Sequence, residues 1–399
     1  MTLFPDSLFL AFIAVLIQLR GGLTAAHVVP LEVTKEPERQ ISPHLFDTLG
    51  ELARVVDIAY CIGTTGVQKP FQCLSHCREL QGFELINTWH TGPFLSDSCG
   101  YIAVSHPPSP KRIIIAFRGT YSISNTIVDL SVLPQEYVPF PVGNDTNEKC
   151  AHCFVHSGFM KAWQSARTTI LDTIFAAREQ YPDYTLTLVG HSLGGAVAAL
   201  AGTEMQLRGW DPIVTTFGEP RVGNKAFVEY LDEVFHLDAH NSKEWKFRRV
   251  THVNDPVPLV PPREWGYEMH SGEIYISRVG LPFSLDDVKY CKGRSDKECI
   301  SGAEGVETTS SSDHLYGINA GLDVEQQVIS NPSSSSSLSG EDETKEEKAS
   351  LLPELQVPSR SLWHLLPLRF RLWELFYSHR DYFLRLGLCV PGGDPSGRW

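Results

Sequence analysis

The serine at position 192 has the setting that a catalytic nucleophile requires. It is the centre of a G-x-S-x-G pentapeptide, Gly190–Gly194, with an apolar run containing β-branched residues before it and small aliphatic residues after it. This order predicts a strand, a tight turn and a helix. The turn is too tight for side chains at Gly190 and Gly194, and it holds the serine hydroxyl out in the open. The pattern therefore predicts a serine that attacks carbonyl carbons, although an ordinary glycine-serine turn has the same letters.

A carboxylate that could orient the general base follows at Asp255. It lies just after a predicted strand, in the segment V-N-D-P-V-P-L-V-P-P. Pro256 and Pro258 stiffen this loop, and a stiff loop holds a carboxylate where an imidazole can reach it. An ordinary Asx-Pro turn is the alternative. We expect Asp255 to be the acid of a Ser-Asp-His triad.

Two histidines downstream of Asp255 are candidates for the general base. His314 lies in S-S-D-H-L-Y-G and His379 in Y-S-H-R-D-Y-F. Serine runs flank His314, whereas the surroundings of His379 are rich in aromatic residues that must pack on something. A base has to stay within hydrogen-bonding reach of both partners, which favours a packed segment. The residues alone still leave both histidines open.

The elements that would position these groups alternate along the chain. Apolar runs and helical spacing predict helices at 46–60, 122–133 and 158–181, and strands at 82–89, 100–104, 111–117, 213–217, 245–253 and 273–277, besides the strand and helix around Ser192. Alternating strands and helices indicate an α/β domain with a mostly parallel sheet.

The composition indicates a secreted globular protein. The net charge of −13 over 399 residues argues against nucleic-acid binding, which needs a basic surface. An apolar run, Leu8–Leu19, followed by small residues predicts a signal peptide over residues 1–26, with a retained anchor as the alternative. The run is short for a bilayer span, so we expect no stable span in the mature protein. Asn144 opens an N-glycosylation motif.

Nine cysteines fit the same compartment. The close pairs Cys73/Cys77, Cys150/Cys153 and Cys291/Cys299 predict local disulfides, with at least one cysteine left over. No zinc-type pattern surrounds these pairs beyond His76 and His152, so we expect neither a metal nor an organic cofactor.

Taken together, the segments around these residues resemble the filamentous-fungal triacylglycerol lipases of lipase class 3, which are related to the feruloyl esterases. The resemblance covers about residues 44–300. It is carried by the segments I-I-I-A-F-R-G-T, S-I-S-N-T-I-V-D-L, V-H-S-G-F, L-V-G-H-S-L-G-G-A, T-F-G-E-P-R-V-G-N, V-N-D-P-V-P-L-V-P-P and H-S-G-E-I-Y-I. It implies an α/β-hydrolase fold with Ser192 as nucleophile and Asp255 as acid.

The resemblance also implies an oxyanion hole and a lid. The backbone N–H of Leu193 and the residue Thr120 would stabilise the oxyanion. The lid would follow at about residues 121–136, where Ile123, Ile127 and Leu130 form an apolar face that covers the serine in water. The tryptophan that many members carry in the lid is Thr126 here.

The family's C-terminal disulfide favours His379 over His314. In the family, a cysteine about ten residues after the histidine pairs with the cysteine that follows the first helix. Cys389 stands at that distance from His379, and Cys61 follows the predicted first helix. Asp323 occupies the corresponding place after His314. The resemblance therefore implies a Cys61–Cys389 disulfide and His379 as the base.

The expected organisation follows from these assignments. A signal peptide (1–26) and a pro-like linker (27–43) precede the hydrolase domain (44–301). A Ser-rich, charged insertion (302–360) interrupts that domain, its C-terminal part (361–392) carries His379, and a short tail (393–399) ends the chain.

The expected function is that of a secreted triacylglycerol lipase that acts on lipid at an oil–water interface. An esterase on soluble or feruloyl-type esters is the nearest alternative, because it uses the same triad. A non-catalytic, lipase-like lipid-binding protein is an alternative of a different class.

Overall fold

A computed structural model of the chain describes residues 39–92, 97–121, 134–140, 150–237, 242–304 and 377–390. The helices are α1 (Pro43–Ala59), α2 (Ser157–Gln180), α3 (Leu193–Leu207) and α4 (Lys225–Val234). The strands are β1 (Phe83–His90), β2 (Cys99–Ser105), β3 (Arg112–Phe117), β4 (Pro134–Glu136), β5 (Phe154–His156), β6 (Thr185–His191), β7 (Ile213–Phe217), β8 (Gly223–Asn224), β9 (Phe247–His252), β10 (Tyr267–Glu268), β11 (Glu273–Ile276), β12 (Val288–Tyr290), β13 (Asp381–Tyr382) and β14 (Leu384–Arg385).

The main sheet has eight strands in the order β1-β2-β3-β6-β7-β9-β11-β12. The strands from β3 to β11 run parallel, and β1, β2 and β12 add antiparallel edges. Every residue of β3 is buried, as expected for a central strand covered on both faces. The predicted α/β-hydrolase architecture, a mostly parallel sheet flanked by helices, is confirmed.

The parallel register brings the ends of the central strands together. Phe117 at the end of β3 pairs with Gly190, and Phe217 at the end of β7 pairs with His191. The carboxyl ends of parallel strands share one sheet edge, where α/β proteins place their sites. The segments that follow β3, β6, β7 and β9 therefore meet at this edge.

Helix α3 packs against the sheet at close range because its first turns carry small residues. Residues 193–205 are all buried, with alanine or glycine at most of the first positions. A Cβ atom on Gly202 would lie 2.6 Å from Cγ2 of Val214 in β7. The run of small residues after Ser192 thus has a packing reason.

The sequence missed the shortest elements. Strand β12 and a second sheet, in the order β10-β8-β5-β4, were not predicted, and neither was the β13–β14 hairpin. Strands of two or three residues are too short for a hydrophobic period to be visible.

Four disulfides account for eight of the nine cysteines. Cys61–Cys389 joins the end of α1 to the C-terminal segment, and the local pairs Cys73–Cys77, Cys150–Cys153 and Cys291–Cys299 are also bonded. Cys99 is buried outside these bonds. Each pair expected from the sequence is therefore present.

Several sequence predictions lie outside the described residues. They are the signal peptide and most of the linker, the lid residues Ile123, Ile127 and Leu130, the glycosylation motif at Asn144, the alternative base His314, and nearly all of the 302–360 insertion. Among the residues that are described, no helix combines the length and apolar composition needed to cross a bilayer.

Candidate active site

Ser192 sits on a strained turn between β6 and α3. Its φ of 58° and ψ of −131° lie in a region that side-chain-bearing residues rarely adopt. A Cβ atom on Gly190 would lie 2.1 Å from the Gly194 carbonyl oxygen, and one on Gly194 would lie 2.4 Å from the Phe117 oxygen. Glycine is therefore required at both positions, because neighbouring backbone atoms leave no room for a side chain, as the pentapeptide predicted.

Asp255 is fully buried in the loop after β9, where its carboxylate accepts three hydrogen bonds. The backbone N–H of Val257 donates to Oδ1 at 2.9 Å, and the Tyr382 hydroxyl donates to Oδ2. His379 Nδ1 lies 2.9 and 3.0 Å from the two oxygens. Burial and the nearby Asp255 charge raise the pKa of Tyr382 well above its usual value, so this hydroxyl remains a donor.

His379 presents the side of its ring that a general base needs. Because Nδ1–H donates to Asp255, the neutral imidazole carries its lone pair on Nε2. Nε2 of His379 and Oγ of Ser192 are both buried and form no hydrogen bond within the described part of the chain. In unliganded enzymes this contact often tightens only when substrate binds. The ring of His191, the residue before the serine, lies 4.5 Å from the His379 ring.

The backbone around His379 is held through hydrogen bonds to three successive carbonyl oxygens, those of residues 378, 379 and 380. His252, whose two ring nitrogens both face carbonyl oxygens, has its Nδ1 2.8 Å from the Ser378 oxygen, and His191 Nε2 donates to the His379 oxygen at 2.7 Å. The N–H of Leu386 donates to the Arg380 oxygen at 2.8 Å. His252 ends β9 and His191 ends β6, whereas Leu386 lies in the same C-terminal segment, so His379 is fixed both by the main sheet and within its own segment.

His191 and Tyr60 form a buried pair behind the serine. A carbonyl oxygen only accepts, so His191 Nε2 carries the proton and Nδ1 accepts from the Tyr60 hydroxyl, at 2.5 Å. Burial, and then the neighbouring His379, hold the pKa of His191 well below its usual value, and burial raises the pKa of Tyr60. His191 therefore stays neutral beside the site.

The expected oxyanion donors flank the serine. Leu193 is the first residue of α3, and Thr120 follows β3. A Cβ atom on Gly119 would lie 2.7 Å from the His191 oxygen and 2.9 Å from Cβ of Ser192. The 119–120 turn therefore packs directly on the Ser192 turn. Thr120 also lines a narrow cleft, partly open to solvent, together with His379.

The structure thus brings Ser192, Leu193 and Thr120 to one sheet edge with the bonded pair Asp255–His379. Sequence reasoning placed His191 only as a packing residue and did not single out Tyr60 or Tyr382. The available signals were their positions, directly before Cys61 and three residues after His379. In the described ranges, the one group with metal-ligand spacing is Glu273, Cys291 and Cys299, and its two cysteines share a disulfide.

Comparison with known proteins gives a consistent answer. The model of the family "Lipase (class 3)" matches residues 114–265. Lipase A of Sodiomyces alcalophilus is 45% identical over 394 residues, covering 92% of this chain and 87% of that protein. The secreted mono- and diacylglycerol lipase 2 of Gibberella zeae is 46% identical over 380 residues, covering 89% and 85%.

A solved structure points to the same family. The crystal structure of the Lip2 lipase from Yarrowia lipolytica matches with a TM-score of 0.60 and 34% identity, covering 66% of this chain and 90% of that one. Two relatives that are 45% and 46% identical align with most of this chain, the family model matches, and a solved lipase has the same fold. The chain therefore belongs to the class 3 lipase family.

Proposed function

We propose that this protein is a secreted lipase that hydrolyses acylglycerol esters through an acyl-enzyme intermediate. Ser192 is the nucleophile, His379 the general base and Asp255 the acid that orients it. The observation that carries the proposal is the buried Asp255–His379 pair, at 2.9 Å, at the sheet edge where the strained Ser192 turn lies. Membership of the lipase family supports the same chemistry.

The proposed reaction proceeds in two halves. Ser192 Oγ attacks the ester carbonyl carbon while His379 Nε2 takes its proton, and Asp255 stabilises the imidazolium that forms. The N–H of Leu193, with Thr120, stabilises the tetrahedral oxyanion, and each such donor contributes about 3 kcal/mol. The imidazolium then protonates the leaving glycerol oxygen. Water, activated by the same histidine, releases the fatty acid from the serine.

Three relatives support acylglycerols as the substrate class. The proteins from Gibberella zeae, Fusarium solani and Penicillium cyclopium are each named secreted mono- and diacylglycerol lipases. The apolar residues expected in the lid, Ile123, Ile127 and Leu130, fit a site that opens onto a lipid surface. Secretion is likewise supported by the relatives' names and by the predicted disulfide-rich, signal-bearing chain.

The test compares the purified full-length chain with Ser192→Ala on emulsified tri-, di- and monoacylglycerols, and on a feruloyl ester. We expect acylglycerol hydrolysis to fall at least a thousandfold in the variant, as for the loss of other serine nucleophiles. Preference for the feruloyl ester over every emulsified acylglycerol would contradict the lipase assignment. Unchanged turnover in Ser192→Ala would contradict the triad itself.

A rate step at the solubility limit tests the interface. With short-chain acylglycerols, we expect the rate to rise as the ester passes from monomeric solution to emulsion. A rate that simply saturates below the solubility limit would favour an esterase on soluble substrates.

A further inference from the structure

The turn formed by residues 386–388 lies between two buried charges of opposite sign. Arg380 Nε donates to the Leu386 oxygen, and Nη2 donates to the Gly387 oxygen at 2.9 Å. On the other side, Asp57 Oδ1 accepts from the N–H of Gly387 and from the N–H of Leu388, at 3.2 Å. The guanidinium and the carboxylate are therefore joined through the peptide groups of this turn.

Both charges are removed from water at this place. Asp57, in α1, is 0% exposed, and Arg380 is 6% exposed. Buried charges are costly unless they are paired and hydrogen-bonded. The peptide groups of the turn are aligned to satisfy both, with carbonyl oxygens toward the cation and N–H groups toward the anion. The second oxygen of Asp57 accepts from the Ser75 hydroxyl at 2.5 Å.

Gly387 shows that the turn is shaped around the arginine. Its φ of +96° is left-handed, and a Cβ atom there would lie 2.3 Å from Arg380 Nη2 and 2.7 Å from Cγ2 of Val390. A side chain at this position would displace the guanidinium. The close approach and the two carbonyl bonds are separate observations of the same fit.

Asp57, Arg380 and the turn 386–388 between them are called the clamp here. The clamp lies in and against the segment that carries His379. Arg380 is the next residue, and its own carbonyl oxygen accepts from Leu386 N–H at 2.8 Å. Asp57 lies one turn before Tyr60 in the chain, and Tyr60 holds the His191 ring that donates to the His379 carbonyl. Helix α1 and its C-cap residue Tyr60 are therefore linked both to the His379 backbone and to the turn that follows it.

We propose that Asp57 and Arg380 are positioning residues that hold the His379 imidazole between Asp255 and Ser192. The Cys61–Cys389 disulfide fixes the end of the segment to α1, and the clamp sets the orientation of the turn before it. This inference rests on the role proposed above for His379. Neither residue touches the reacting atoms.

The test uses the purified full-length chain and the soluble ester p-nitrophenyl butyrate. We expect Asp57→Ala and Arg380→Met to lower kcat about 10- to 100-fold, as small displacements of catalytic groups do, with KM within about threefold of wild type. Asp57→Asn and Arg380→Lys keep part of the hydrogen bonding and should recover much of the loss. The double variant should be no slower than the slower single one, because each change releases the same turn.

The control is Glu204→Gln. Glu204 is another buried carboxylate with several partners, but its partners Trp163, Arg167 and Arg208 lie on α2 and at the end of α3. The Glu204→Gln substitution should lower the melting temperature while leaving kcat within about threefold of wild type. Clamp variants that lose only thermal stability, like this control, would overturn the proposal.

If the larger changes do not fold, Asp57→Asn and Arg380→Lys decide the test: we expect each to keep a smaller loss of kcat that still exceeds that of Glu204→Gln, and no such loss would overturn the proposal. A second readout is the downfield proton resonance of His379 Nδ1–H in its bond to Asp255, assigned by its loss in His379→Gln. We expect this resonance to broaden or disappear in the clamp variants and to persist in Glu204→Gln. The resonance does not require turnover, so an inactive wild type would refute the proposed function without deciding the clamp.

Discussion

The proposed nucleophile and the proposed base of this site are held in place by opposite means. Ser192 lies in one continuous stretch, in which β6, the turn and α3 follow one another and are almost wholly buried. His379 belongs to the short segment 377–390, whose hairpin strands have two residues each. Its carbonyl neighbours are held by His252 and His191, its ring by Asp255, and its end by Cys61.

The two residues should therefore be sensitive to different kinds of substitution. The serine is positioned by local backbone geometry, so it should be sensitive to a single added methyl group at the turn. The histidine is positioned by contacts with residues more than 120 positions away in the chain. It should therefore be sensitive to the loss of remote side chains that never contact the substrate.

The largest effect on activity is expected at the serine turn. Gly190→Ala and Gly194→Ala would each press a methyl group to within 2.4 Å of backbone atoms. We expect either variant to lose at least about 3 kcal/mol of stability and nearly all esterase activity, because backbone cannot move aside as a side chain can. Gly280→Ala, where nothing lies within 4 Å, is the matched control and should match wild type in both assays. Equal stability and equal esterase activity in all three variants would contradict the view that the Ser192 turn is rigid.

The next effect concerns the long-range disulfide. Cys61 and Cys389 are separated by 328 residues, whereas Cys73 and Cys77 are separated by four. Loop-closure entropy predicts a loss of about 6 kcal/mol for Cys61→Ser with Cys389→Ser, and of about 2 kcal/mol for the Cys73/Cys77 double variant. Denaturant unfolding measures both. If the base is held from a distance, the first variant should also lose more activity, per folded molecule, than the second.

Tyr382→Phe removes one hydrogen bond from the Asp255 carboxylate and little else. We expect kcat to fall about tenfold, the equivalent of a charge-assisted hydrogen bond of about 1.4 kcal/mol. Tyr267→Phe is a suitable comparison, because that hydroxyl forms no hydrogen bond within the described residues. A kcat for Tyr382→Phe equal to that of the comparison variant would show that Asp255 is held well enough without the tyrosine.

The smallest effect is a pH dependence of stability from His191. Burial lowers its folded pKa well below the value of 6.5 expected in the unfolded chain, so below that pH the unfolded state binds more protons. This stabilising contribution is complete above pH 6.5 and is lost as the pH falls toward the folded pKa. We expect His191→Gln to flatten the acid slope of the unfolding free energy by up to about one proton, or 1.4 kcal/mol per pH unit. Replacement of the exposed His44 by glutamine should not; equal slopes in all three proteins would contradict the neutral His191.

The same contrast explains what could be predicted from the sequence. Ser192 and its glycines are recognisable because the geometry that constrains them is contiguous in the chain. The existence of the central strands follows from their apolar runs, and Asp255 from its place after one of them. The segment at 377–390 has no such local pattern: its aromatic composition favoured His379 without excluding His314, and a family resemblance, through the spacing of His379 and Cys389, decided between them.

Residues that act only through remote contacts left no signal of their own. Tyr60 looks like any buried helix residue, and Asp57 like a polar residue that should face water. Their role depends on which distant segment packs against α1, and a single sequence does not encode that pairing in any readable period. The two-residue strands of the C-terminal hairpin were missed for a related reason, because tertiary contacts and not propensity decide them.

The most direct test of the account compares His379→Ala with His314→Ala in the full-length chain, assayed on emulsified acylglycerol and normalised to folded protein. We expect His379→Ala to lower kcat/KM by at least a thousandfold and His314→Ala to remain within about threefold of wild type. Loss of turnover in His314→Ala with full activity in His379→Ala would contradict the triad and, with it, the view that the base is positioned by α1, β9 and the Cys61–Cys389 disulfide.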